Sequence, residues 1–160
     1  MDSIMRKWSY HDESIPTPCN NELQINMTSK VIYTGDLRCE SEHLQSGSKI
    51  ITDAPTDNHG KGAAFSPTDL CATSLAQCML TTIAILGKNN GVEIEDSYAE
   101  VQKVMNPKPR KIAEIVCDLY FRGNYSDEQK AFIEETAMTC PVALSLNADL
   151  KKTVRFHYGN

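Results

Sequence analysis

The sequence predicts an α+β fold in which short antiparallel strands cover two helices. Three observations carry this. The run from Ser66 to Gly91 has apolar residues on nearly every side, four short alternating segments precede it, and a pair of alternating segments follows, leading into another well-capped helix. At 160 residues the chain is long enough for one domain with a sizeable core, and its hydrophobic and charged fractions of 41% and 23% are those of an ordinary globular chain. A formal net charge of −5 without a dense Lys/Arg cluster argues against a nucleic-acid partner. Residues 1–15 lack an apolar run with a cleavage site, and no eighteen consecutive residues are apolar, so the expected location is the cytoplasm, with no membrane partner.

Residues 1–22 contain Pro16, Pro18 and Asn20-Asn21, which break regular structure, and read as an N-terminal extension to a domain spanning 23–160. Within the domain, LQINM, KVIYT, LRCESEHL and KIITD alternate at period two and are separated by Gly35-Asp36 and Ser46-Gly47-Ser48, the pattern of an antiparallel meander. PTDNHGKGAAF (55–65) is a loop, and His59 within it reads as a solvated residue.

The long helix opens on Ser66-Pro67, with Ser66 as N-cap, Pro67 at the first helical position and Asp69 completing a capping box. Leu70, Ser74, Cys78, Thr82 and Leu86, with Cys71, Leu75, Met79 and Ile83, make a wide apolar surface, and Lys88 to Gly91 end the helix. VEIEDSYAEVQKVM and KIAEIVCDLYFRG are a strand pair joined by NPKPRK, and Ile115, Cys117, Leu119 and Phe121 share its inner face. A second capping box, S-D-E-Q at Ser126, starts a helix to Thr139. Pro141 interrupts it, VALSLNADL continues as a short helical piece, and KTVRFHY is the last strand.

Six cysteines (19, 39, 71, 78, 117 and 140) are widely spread with no CxxC or Cys/His zinc spacing, which points to free or redox-active thiols and to no metal. Cys71 and Cys78 are seven residues apart on one helix, about 10 Å at a rise of ~1.5 Å per residue, beyond the ~7 Å reach of a disulfide. Cys78 sits mid-helix, where the dipole gives a thiolate little support, so reactivity there requires a cation from elsewhere. Cys140 precedes Pro141 in an N-cap-like position. It reads either as an acidic thiol supported by the following turn or as a buried cysteine at a helix break.

The order of elements, with SPTDLCATSLAQCM in the long helix and MTCPVALSL closing the second, resembles the OsmC/Ohr family, the osmotically inducible and organic hydroperoxide resistance proteins. The resemblance covers residues 23–158. It implies an OsmC-like fold whose antiparallel sheets enclose two central helices in an intertwined homodimer, an assembly that the all-round apolar helix also favours. It further implies a thiol peroxidase acting on organic hydroperoxides, needing no cofactor and reduced by an external dithiol. Cys78 would be the peroxidatic thiol, Cys140 the resolving thiol, and Arg38 in LRCES the activating cation. Met79, Phe65 and Phe132 are candidate pocket walls.

Peroxidases of that family carry a glutamate straight after the helix-opening proline. This chain has Thr68 there and Asp69 one place on, which marks a divergent member. A carboxylate restored at position 68 is expected to pair with Arg38 and speed oxidation. By strand alternation Arg38 could instead pair with Glu40 or Glu42 on its own face. Two other readings stand beside the peroxidase: an OsmC-like small-molecule-binding or stress-associated protein without that activity, and an acyl-transfer enzyme using Cys140 with His157 as its base.

Overall fold

A computed structural model describes residues 27–159. The expected extension 1–22, Cys19 and most of the LQINM segment lie outside the described residues. Strands β1 (Ser29–Gly35), β2 (Arg38–His43) and β3 (Lys49–Asp53) form one antiparallel sheet in that order. The β1–β2 turn is a two-residue loop, with Asp36 and Leu37 both at positive φ (51° and 62°), the conformation whose twist matches a hairpin. Leu37 holds this strained geometry in part because its carbonyl accepts from Ala54 N–H at 3.2 Å. The turn therefore sets Arg38 directly opposite Asp53.

Helix α1 (Pro67–Gly87) starts as its residues require. Ser66 Oγ accepts from Asp69 N–H at 3.1 Å and Asp69 Oδ2 accepts from Ser66 N–H at 2.8 Å, a complete capping box behind Pro67. Gly91 at φ 64° ends the chain's excursion beyond it. α1 is long and apolar enough to cross a membrane by composition, yet it packs against the second sheet and both other helices as the core of the fold. Leu75, Met79 and Ile83 have no exposure, and Ala72, Ala76 and Thr82 are also buried. Of the face expected inward, Cys78 and Leu86 are only half-buried and Thr82 is covered.

The second sheet contains β4 (Tyr98–Pro107), β5 (Arg110–Phe121) and β6 (Lys151–Tyr158) in that order. Residues 92–97, expected as the start of a strand, form a turn instead. Asp96 takes a φ of 60° and Ser97 N–H bonds Ile94 O at 3.1 Å, closing the chain before pairing begins. Ile115, Cys117, Leu119 and Phe121 face inward with 0–1% exposure, as their alternation requires. β4 and β5 pair antiparallel, but β5 and β6 pair parallel, so the sheets are not wholly antiparallel. The physical reason is the crossover: α2 (Asp127–Met138) and α3 (Pro141–Ser145) carry the chain back across the sheet before β6 begins. Of the expected last helical piece, 142–150, only 142–145 are helical, Asn147 to Leu150 closing a turn instead.

Candidate functional site

The break between α2 and α3 puts Cys140 in extended geometry at φ −64°, ψ 150°, because Pro141 denies it helical backbone. Its sulfur accepts from Ala143 N–H at 3.4 Å. Cys140 is nevertheless wholly buried, and burial pushes its thiol up to about 11 against the pull of the Ala143 amide, with the neighbouring Cys78 adding to the rise. The acidic-thiol reading of Cys140 is thus corrected. The cap geometry is present, but desolvation outweighs one amide and a single turn of helix.

Cys78 is half-buried on α1 beside Cys140, with Thr82 Oγ1 3.9 Å from its sulfur. A third thiol, Cys117 on β5, also lies within electrostatic reach of Cys140 and is pushed up to about 11, first by burial and then by Asp118. Among the described residues all five cysteines are unpaired thiols. Cys78, the more accessible of the adjoining pair, can meet a reagent, and Cys140 can close on it from inside.

Arg38 pairs with neither Glu40 nor Glu42. Its guanidinium Nη2 meets Asp53 Oδ2 at 3.3 Å across the β2–β3 ladder, and Glu40 is taken by Lys49 at 2.9 Å. Asp53 has no exposure, and its carboxyl is held below the usual range by the Ala63 N–H at 2.9 Å, with Arg38 helping against the cost of burial. Among the described residues no hydrogen bond or ion pair joins Arg38 to Cys78, Thr68 or Asp69.

The start of α1 holds a different cation. Lys103 Nζ reaches Asp69 Oδ1 at 2.7 Å, Thr68 Oγ1 at 2.8 Å and Ser66 Oγ at 3.2 Å. Burial raises the Asp69 carboxyl, but hydrogen bonds from Lys103 and Ser66 outweigh it and hold the group below its ordinary value. Sequence reasoning missed Lys103. The signal was available, since Lys103 falls between Val101 and Met105 in the inward row of β4, and a lysine in an apolar row demands a partner. Lys103, Asp69, Phe65, Ala64, Ala72, Thr73 and Val101 line an apolar cleft of about 370 Å³. Phe65 lines this cleft, and Met79 lies in the core at 0% exposure.

The residues from 59 to 155 match the family model of OsmC-like proteins, 97 of the chain's 160 positions. The chain is a member of the OsmC/Ohr family. This OsmC-like chain is 50% identical to an osmotic-stress-induced and detoxification-response protein of Psychrobacter arcticus. That match covers 82% of this chain and 96% of the other, with a TM-score of 0.79. The OsmC-like protein of Mycoplasma pneumoniae shares the fold at 18% identity over 82% of this chain and 96% of that one, TM-score 0.66. An organic hydroperoxide resistance protein OsmC of Legionella pneumophila does so at 19% identity, covering 82% and 98%, TM-score 0.60. No curated protein sequence matches the chain.

His157, the base required by the acyl-transfer reading, stands apart from Cys140 in this OsmC-like fold. It pairs with Tyr120, stacks on that ring at 4.5 Å and bonds Asp118 at 2.7 Å, all on the side of the sheet opposite inward-facing Cys117 and Leu119. The sheet lies between base and nucleophile.

Proposed function

We propose that the protein is a thiol-dependent peroxidase that reduces organic hydroperoxides, with Cys78 as peroxidatic and Cys140 as resolving thiol. The observation that carries this reading is the adjacency of a half-buried and a fully buried thiol in a family that includes organic hydroperoxide resistance proteins. The Cys78 thiolate attacks the terminal hydroperoxide oxygen, the O–O bond breaks, and the alkoxide leaves as an alcohol after taking a proton. Cys78 is left as a sulfenic acid. Cys140 then attacks that sulfur, forming the disulfide and releasing water, and an external dithiol restores both thiols. Arg38 is the cation assigned to activating Cys78, since a guanidinium is always charged and can hold peroxide oxygens. The chemistry needs reduced thiols at rest, which fits the cytoplasm.

The same reading includes a homodimer. Val31, Tyr33 and Ile50 on one face of the first sheet and Ile32 and Ile51 on the other are 46–64% exposed, too much apolar surface for a free sheet. A second copy covering it would also bring β2, and Arg38 with it, against another α1. Sedimentation as a stable monomer at micromolar concentration excludes this assembly.

A second reading, binding without peroxidase activity, is favoured by Lys103 occupying Thr68 and by the apolar cleft at Phe65. Titrating thiols before and after an alkyl hydroperoxide separates the two. The peroxidase loses two thiols together, and a pure binding protein loses none.

A further inference from the structure

We infer that Asp53 is the positioning carboxylate for Arg38 in the reaction at Cys78, an inference resting on the peroxidase reading above. The helix start carries Thr68 and Asp69, and both are engaged by Lys103. Arg38 has a different anion. Asp53 stands opposite it in the β2–β3 register and bonds its guanidinium at 3.3 Å.

Asp53 is itself anchored on three sides. Its side chain is fully buried, its Oδ2 also accepts from Ala63 N–H at 2.9 Å, and its backbone N–H donates to Phe65 O at 3.1 Å in the segment leading into α1. The Asp36-Leu37 turn fixes the backbone on the other side of Arg38. A guanidinium on a strand end with 35% side-chain exposure would otherwise sample many rotamers, and this pair restricts it to few. The pair is joined through Nη2 and Oδ2 alone, leaving the buried Arg38 Nε and Asp53 Oδ1 without a hydrogen-bond partner among the described residues. Lys103, by contrast, has its three ammonium donors committed to Ser66, Thr68 and Asp69.

The chemistry explains why fixing the guanidinium matters. As the O–O bond breaks, negative charge passes from the Cys78 sulfur to the departing alkoxide oxygen. A pre-positioned donor stabilises that charge, whereas a mobile one must first be ordered. Asp53 acts through Arg38 and touches neither sulfur nor peroxide.

The test is the rate of Cys78 oxidation by tert-butyl hydroperoxide in the full chain, for Asp53→Asn, Arg38→Ala and the double variant. Asp53→Asn is expected to slow oxidation on the order of tenfold to a hundredfold, the scale of a misplaced catalytic group. The double variant should be no slower than Arg38→Ala alone, because Asp53 has nothing to act through once the guanidinium is gone. Equal slowing by Asp53→Asn with and without Arg38 would show a general structural effect and overturn the inference. So would a wild-type rate in Asp53→Asn while Arg38→Ala is slow, an outcome that leaves the peroxidase reading standing. A wild-type rate in Arg38→Ala removes Arg38 from the mechanism and the inference with it. Should Asp53→Asn fail to fold, Asp53→Glu keeps the charge and shifts it by one methylene. It is expected to slow oxidation only when Arg38 is present, and an unchanged rate overturns the inference equally.

Discussion

Lys103 Nζ lies 2.7 Å from Asp69 Oδ1, so a strand cation neutralises the first turn of the core helix from outside it. The contact also spans Thr68 and Ser66, joining β4 to the capping box of α1. Lys103→Met removes the charge while keeping the stem's bulk, and it leaves Asp69 with Ser66 alone. A loss of about 1–2 kcal/mol is expected, between the value of an exposed ion pair and a buried charged hydrogen bond, read as a lower urea midpoint at unchanged slope. An unaltered midpoint would mean that the pair contributes nothing net.

Thr68→Glu provides a sharper comparison. Read from sequence, a carboxylate at 68 pairs with Arg38 and speeds oxidation. With Lys103 Nζ 2.8 Å from Thr68 Oγ1, the new carboxylate meets a lysine instead. The expected outcome is therefore an unchanged rate of Cys78 oxidation. Clear acceleration in stopped-flow measurement would show that an arginine reaches this position after all.

The buried Cys140 thiol, at about 11, gives the resolving step a distinct pH dependence. Its attack on the Cys78 sulfenic acid should quicken with rising pH toward about 11, rather than levelling off near ~8.5 as for a solvated thiol. Trapping the sulfenic acid with a dione at several pH values checks this. Peptide mapping should find the Cys78–Cys140 bridge, with Cys19, Cys39, Cys71 and Cys117 still reduced. A dominant bridge between any other pair refutes the assignment.

Alkaline stability follows from the same burial. Cys117 is raised from 9.0 to about 11, so its contribution to stability is fully present below about pH 9 and is lost as pH rises toward 11. A two-unit shift amounts to about 2.7 kcal/mol. Cys140 and Tyr158 move in the same direction and steepen the loss. Denaturation curves between pH 8 and 11 should show it, and Cys117→Ala should flatten the slope even as its cavity costs stability at neutral pH.

Much of the architecture was legible because it depends on neighbours in sequence. The Ser66-Pro67-Asp69 and Ser126-Gln129 boxes define helix starts within four residues, and the inward row of Ile115, Cys117, Leu119 and Phe121 follows from strand alternation alone. The family could be read from two short motifs, which the 59–155 match bears out. What the first residues after α1 would do was not legible. VEIED alternates like a strand, and only the left-handed Asp96 and the Ser97 turn make it a connection.

The charge partners were decided by tertiary structure alone. Sequence spacing offered Arg38 its neighbours Glu40 and Glu42 and offered Thr68 an arginine. The fold gave Arg38 to Asp53, fifteen residues on, and Thr68 to Lys103, thirty-five residues on. An ion pair forms wherever two elements bring opposite charges out of water together, and that depends on register and packing between segments distant in sequence. The acidity of Cys140 was settled in the same way. Pro141 determines its cap geometry locally, but the walls that desolvate its sulfur come from α1 and β5, so only the assembled core sets the thiol's pKa.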